Sequence, residues 1–314
     1  MRDEPFSLAT VDQMQINVHR WLPDDDVGAV LIIAHGMAEH GGRYRRLAEA
    51  LTARGYAVYA PDHRGHGLTA RTVQDLGFFD EEGGFFKVVS DLRALTEQAR
   101  TEHPGCPVVL LGHSMGSYLT QAYLMEHDDL AGAAMTGSSL NTGLLPALGR
   151  KIARIERIRR GPRRSSWLLT RLSFGAFARS IPRRRTEYDW LSRDPAEVDA
   201  YIEDPLCGFS ATTQLWIDLL DSFPRLADPS NVARIRTDLP LWIASGSDDP
   251  VHDKGKGFDA LRDLYVSRGF TDAQFTLYDG ARHELFNETN REEVTSDLLA
   301  WLNRVTGLDG ASEE

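Results

Sequence analysis

Between residues 29 and 278 the chain carries short runs that are apolar at nearly every position. These are residues 29–34 (AVLIIA), 56–60 (YAVYA), 107–111 (PVVLL), 241–244 (LWIA) and 275–278 (FTLY). Runs this short, without alternation, fit strands covered on both faces. Residues 132–136 (GAAMT) form a weaker sixth run. Ahead of them, residues 6–22 alternate in a way that predicts a leading hairpin. Helical periodicity fills the intervals, over 44–54, 91–102, 117–127, 258–267 and 292–305. Strands alternating with helices predict an α/β architecture, a mostly parallel central sheet flanked by helices. In such a sheet ligands bind at the carboxyl ends of the strands, so chemistry is to be sought in the loops just after them.

The alternation stops between residues 138 and 230. That stretch is helical in pattern and has no convincing apolar strand. It predicts a helical cap inserted at 138–230 into a core made of residues 1–137 and 231–314. The tail from Gly307 to Glu314 is polar and expected to fray. The inserted stretch is basic, with Lys151, Arg154, Arg157, Arg159, Arg160, Arg163 and Arg164, then Arg183, Arg184 and Arg185. Ile152, Ile155 and Ile158 recur every three residues among these cations, and Leu148 extends the apolar side.

The formal charge of the 314-residue chain is -11. Such a chain is repelled by phosphate backbones, which argues against a nucleic-acid partner. No apolar run approaches the roughly 18 residues of a membrane span. The first residues, MRDEP, lack the basic and apolar segments of a secretory leader. The 2 cysteines, Cys106 and Cys207, form neither a disulfide framework nor a metal motif. They suit packing in a reducing compartment, so the expected location is the cytoplasm.

The strongest chemical signal is Gly112-His113-Ser114-Met115-Gly116, a G-x-S-x-G elbow between a predicted strand and a predicted helix. The sharp turn exposes the serine, and the amide that follows lies near a helix N-terminus, where negative charge is favoured. A serine hydroxyl needs a base to take its proton. In α/β-hydrolases the order along the chain is Ser, acid, His. The strand 241–244 leads into Ser245-Gly246-Ser247-Asp248-Asp249-Pro250-Val251, with Asp249 the expected acid and Asp248 the alternative. Of the two histidines beyond that loop, His252 lies too near Asp249 in sequence to aim back at it. His283, after the strand 275–278 and a turn, is the expected base. Two backbone amides must hold the oxyanion. Met115, just after the nucleophile, and Met37, in the loop after the strand 29–34, are the expected donors.

These segments carry a family resemblance. His35-Gly36-Met37-Ala38-Glu39-His40-Gly41-Gly42-Arg43-Tyr44 resembles the H-G-x-x-E-H-x-x-R-Y signature of the monoacylglycerol lipase and lysophospholipase family. Asp62-His63-Arg64-Gly65-His66-Gly67 resembles its D-x-x-G-H-G turn. Gly112 to Gly116 matches its G-H-S-M-G elbow. In the insertion, Ser192-Arg193-Asp194, Glu197-Val198, Tyr201 and Asp204-Pro205-Leu206 resemble its cap. The likeness spans most of the chain and is thinnest over 142–185.

The resemblance implies a cap over the sheet, an acyl channel beneath it, and Glu39, Arg43 and Tyr201 near the pocket for the polar alcohol. Glu39 and Arg43 read equally well as an ion pair bracing the oxyanion loop. The family's mammalian monoacylglycerol lipases carry a second histidine three residues after the catalytic one, close to glycerol. Phe286 takes that position here, among the expected substrate-facing residues, and changes the alcohol side of the site.

The expected reaction is hydrolysis of a monoacyl lipid ester through an acyl-enzyme on Ser114, without metal or organic cofactor. The rival readings are a short-chain carboxylesterase, a peptidase of the same fold and a non-catalytic lipid-binding protein. For the basic helix, three readings stand: a peripheral contact with an anionic membrane, steering of a phosphate-bearing lipid toward the pocket, or a solvated cap helix with its isoleucines packed on the core.

Overall fold

The computed structural model describes residues 1–308. Most of the polar tail, 309–314, lies outside the described residues, and with it the expected fraying there. Strands β1 (Arg2–Asp3), β2 (Phe6–Ala9) and β3 (Gln15–Leu22) are followed by β4 (Ala29–Ala34), α1 (Arg45–Thr52) and β5 (Tyr56–Pro61). Then come α2 (Gly84–Glu102), β6 (Val108–His113), α3 (Met115–Glu126) and β7 (Gly132–Thr136). The helices α4 (Leu144–Arg160), α5 (Trp167–Leu172), α6 (Phe174–Ser180), α7 (Pro195–Glu203), α8 (Thr213–Leu226) and α9 (Pro229–Val232) lead to β8 (Leu241–Gly246). The chain closes with α10 (Lys256–Ser267), β9 (Ala273–Tyr278) and α11 (Arg291–Thr306).

The strands form one sheet in the order β1-β3-β5-β4-β6-β7-β8-β9, with β2 paired to β3. From β5 to β9 every pairing is parallel, and the leading hairpin β2–β3 is antiparallel. The uniformly apolar runs have the cause expected of them. Alternate residues of β4 face two different hydrophobic clusters: Val30, Ile32 and Ala34 pack into one, and Ala29, Leu31 and Ile33 into the other. All six residues are fully buried. Burying a leucine or isoleucine side chain stabilises the fold by roughly 1.5–3 kcal/mol. Helices α2, α3, α8 and α10 contribute to the first cluster and α1 and α11 to the second.

The chain order reverses at β4, which lies between β5 and β6. At such a switch point the loops leave neighbouring strands in opposite directions and open a crevice. The loop after β4 and the loop after β6 flank that crevice, which brings Met37 beside Ser114. Between β7 and β8 the regular structure is helical apart from a single bridge, Ser165 to Thr212, with irregular runs such as residues 181–194 between the helices. Helix α2 begins at Gly84, seven residues before the periodicity predicted, because Phe85, Val88, Val89 and Leu92 already form its buried face. The Gly83-Gly84 pair sits at the helix start, with Gly83 as its cap.

Candidate active site

Ser114 stands between β6 and α3 with φ 51° and ψ −116°, a conformation that a non-glycine residue adopts only when its surroundings enforce it. The two glycines of the elbow supply that enforcement by close packing. A Cβ on Gly116 would lie 1.9 Å from the Ala34 carbonyl oxygen of β4, and one on Gly112 would lie 2.4 Å from the Gly116 oxygen. The Ser114 amide donates to the Thr136 carbonyl at 2.9 Å. Met115 is the first residue of α3, where the helix leaves its amides unpaired. Met37, Ser114 and Met115 line one cavity together.

Asp249 and His283 lie in the loops after the adjacent strands β8 and β9. His283 Nδ1 is 2.8 Å from Asp249 Oδ2. That same oxygen accepts from the Ser245 hydroxyl at 3.0 Å, and Oδ1 accepts from the Val251 amide at 2.9 Å. Burial opposes the charge on His283, but the Asp249 carboxylate outweighs it, and the imidazole pKa ends above its usual 6.5. Burial also opposes the Asp249 charge, and His283 outweighs it, so the carboxyl stays below its ordinary range. Asp248, the alternative acid, is exposed. His252 is buried and occupied elsewhere, with Nε2 on the Gly246 carbonyl at 2.7 Å and Nδ1 accepting from the Gly255 amide at 2.8 Å.

Ser114 and His283 face one another across a small cavity that also meets Met37, Glu39, Tyr201 and Glu284. Their side chains are not hydrogen-bonded to each other here, and such contacts commonly tighten only with substrate. Over His283 lie two rings, His113 at 4.8 Å and Trp190 at 5.1 Å. Burial, reinforced by His283, pushes the His113 pKa down to about 3 and keeps it neutral beside His283.

Glu39 and Arg43 do form the brace that the sequence allowed. Arg43 donates to Glu39 Oε2 at 2.8 Å, while Glu39 Oε1 accepts from the Gly36 amide at 2.5 Å and from the Tyr44 hydroxyl at 3.1 Å. A third member had no sequence motif to mark it. Glu284 grips Arg43 in a bidentate pair at 2.7 Å on each arm. Two buried carboxylates thus share one guanidinium. Burial opposes the Glu284 charge, yet Arg43 outweighs it and holds that carboxyl down to about 2. At Glu39 burial wins and the carboxyl is pushed up. The Tyr201 hydroxyl donates to the Ala38 carbonyl at 2.8 Å, and Arg43 stacks on its ring at 4.9 Å.

Phe286 is a correction. It packs with Leu285, Val294 and Leu298 in the hydrophobic cluster under α11 and lines neither cavity that opens on Ser114. It follows His283 in a short helical turn, residues Leu285–Asn287, and is buried in that cluster.

Ser114 also lines a cavity of about 370 Å³ bounded largely by the helices that follow β7. Its walls are almost wholly apolar, including Leu148, Ile152, Phe174, Trp216 and Phe223. For a metal, His40, Asp204 and Cys207 bring potential ligand atoms within 4.8 Å of one another. However, His40 Nδ1 accepts from the Gly42 amide at 3.2 Å, so its proton sits on Nε2 and is donated to Asp204 at 2.8 Å. That tautomer suits a hydrogen bond rather than a metal ligand.

The geometry has counterparts among known proteins. The family model for serine aminopeptidase, S33, matches residues 25–290. A monoacylglycerol lipase of Mycolicibacterium smegmatis is 30% identical over 306 residues, covering 94% of this chain and 95% of that protein. Human monoglyceride lipase is 29% identical over 313 residues, covering 97% and 92%. Among solved structures, a carboxyl esterase from Bacillus coagulans in complex with glycerol superposes with a TM-score of 0.89 at 22% identity, covering 98% of this chain and 99% of that one. A monoglyceride lipase from Saccharomyces cerevisiae with a substrate analogue gives 0.74 at 22% identity, covering 97% and 95%. The fold, the motifs and these matches converge: the chain belongs to the serine aminopeptidase S33 family of α/β-hydrolases and is similar to its monoacylglycerol lipases.

Proposed function

We propose that the protein is a serine carboxylic ester hydrolase acting on monoacyl lipid esters. One observation carries this reading: Ser114 lines both an apolar cavity of about 370 Å³ and a small, more polar one that meets His283, Glu39 and Glu284. A long acyl chain fits the first and a small alcohol the second. Residues 138–230 act as the cap that roofs the acyl side.

In this reading the Ser114 oxygen attacks the ester carbonyl while His283 takes its proton. The carbonyl electrons move onto oxygen, which the amides of Met37 and Met115 hold. Collapse breaks the ester bond, and His283 gives the proton to the departing alcohol. Water then repeats the sequence on the acyl-enzyme, releasing the fatty acid and restoring the serine. Asp249 orients His283 and stabilises the imidazolium. Glu39 and Glu284 make the alcohol side acidic, with one guanidinium for two carboxylates. A neutral hydroxylated head group is therefore favoured over an anionic phosphate.

Among the described residues no helix is long and apolar enough to cross a membrane. The cap nevertheless exposes Leu145, Leu148, Ile155 and Ile158 by 83%, 54%, 55% and 85%, so the last two isoleucines are not packed on the core. Leu145 and Leu148 also line the acyl cavity. With Arg150, Lys151 and Arg157 on the same helix, this favours the membrane reading of α4, docking on an anionic lipid surface at the mouth of the cavity.

The test is a panel of monoacylglycerols, lysophospholipids, p-nitrophenyl esters of graded length and an amino-acid p-nitroanilide. Turnover of long-chain monoacylglycerols above lysophospholipids supports the reading. Activity confined to the shortest esters, or to the anilide, replaces it with the esterase or peptidase reading.

A further inference from the structure

The loop that carries His283 is fastened along one side by a short run of the inserted segment, residues 189–193. The His283 amide donates to the Trp190 carbonyl at 3.4 Å and the Glu284 amide to the Leu191 carbonyl at 2.8 Å. The Arg282 guanidinium reaches the Asp189 and Ser192 carbonyls at 2.5 and 2.9 Å. In return, the Ser192 hydroxyl donates to the Asn287 carbonyl at 2.7 Å.

Glu288 closes this strap. Its side chain is 0% exposed. A carboxylate buried so fully is costly unless paired and hydrogen-bonded. Oε1 accepts from the Arg282 amide at 2.8 Å and the Arg193 amide at 3.0 Å. Oε2 accepts from Arg193 Nε and from the Thr289 amide, both at 2.8 Å. One carboxylate thus joins the residue just before His283 to the end of the strap. Neither Glu288 nor Arg193 lines the cavities at Ser114. Their hydrogen bonds act on the backbone around the imidazole, not on a substrate.

We infer that Glu288 and Arg193 are positioning residues for His283, pinning its loop to the cap so that the base is in register with Asp249 and Ser114 only while residues 189–193 are seated. The inference rests on the reading of His283 as the base. It makes the cap part of the catalytic alignment as well as a roof for the acyl chain. A misplacement of about 1 Å at a reacting group costs on the order of 10²-fold in rate, so a loosened strap has a large kinetic effect.

The test compares Arg193→Met, Arg193→Lys and Glu288→Gln with Arg304→Met, which removes the remote surface pair to Asp272. kcat and KM on a soluble ester are measured across pH, with thermal midpoints alongside. Arg193→Met and Glu288→Gln are expected to lower kcat about 10- to 100-fold with KM little changed. Their acid limb moves to lower pH, because a base no longer held against Asp249 loses the contact that raises its pKa. Arg193→Lys recovers part of kcat, since an ammonium still meets Glu288. Arg304→Met shows neither effect.

A folded Arg193→Met enzyme with wild-type kcat and an unmoved acid limb overturns the inference. That variant decides even where Glu288→Gln fails to fold, because it leaves the carboxylate its three backbone amides. His283→Ala is the control for the reading beneath. Retained turnover there removes His283 as base, whereas lost turnover with an unaltered Arg193→Met overturns the positioning role alone.

Discussion

His283 Nδ1 and Asp249 Oδ2 meet at 2.8 Å, with the two side chains 3% and 0% exposed. The pairing has a definite consequence for pH. In the proposed mechanism His283 works as a base only when neutral, and Asp249 raises its pKa above 6.5 despite burial. Activity is therefore full at high pH and falls as pH drops through a midpoint above 6.5. A kcat/KM profile locates that midpoint. In Asp249→Asn the carboxylate that raises it is gone, the midpoint moves down, and kcat falls by about 10⁴.

Gly116 tests the elbow. A Cβ there meets the Ala34 carbonyl oxygen at 1.9 Å, and backbone cannot step aside as a flexible side chain does. Gly116→Ala is expected to destabilise the fold by about 1–3 kcal/mol, the cost typical of overpacking. Urea unfolding measures it, and activity falls with the displaced Ser114.

Arg43 stands between two buried carboxylates, Glu39 and Glu284. Arg43→Met leaves both uncompensated and is expected to cost about 3–5 kcal/mol near neutral pH. In the wild type the Glu284 pKa is depressed, so its stabilisation is present above the unfolded value and lost as pH falls toward about 2. In the variant both folded values rise above the unfolded ones. Its deficit therefore narrows as pH falls through that raised range. Denaturant titrations of both proteins at several pH values check the sign.

The exposed Ile155 and Ile158 separate membrane contact from folding. Ile155→Ser with Ile158→Ser is expected to leave thermal stability within about 0.5 kcal/mol, as surface changes do. Co-sedimentation with anionic vesicles falls in this variant and again when Arg150, Lys151 and Arg157 are replaced. Wild-type binding indifferent to anionic lipid and to these changes removes the proposed contact.

What the sequence revealed and what it hid divide along physical lines. The turn at Ser114 and the loops that bring Asp249 against His283 were legible because each is local: a few residues whose types are demanded by one turn. The sheet was legible because burial on both faces leaves runs such as residues 29–34 with no polar position. Glu284 and Glu288 were not legible, since each acts through partners far away in the chain, Arg43 and Arg193. Phe286 was misread because spacing from His283 says nothing of which way a short helical turn points its side chain. The isoleucine spacing of α4 left its direction open for the same reason: period alone does not say which face is covered.

Release of fatty acid from a long-chain monoacylglycerol, by wild type and by Ser114→Ala, tests whether Ser114 hydrolyses a monoacyl lipid ester. Steady turnover is expected from wild type, with a loss of several orders of magnitude in a variant that folds with an unchanged thermal midpoint. Wild-type turnover in Ser114→Ala, or a wild-type protein inert toward every ester offered, contradicts that role.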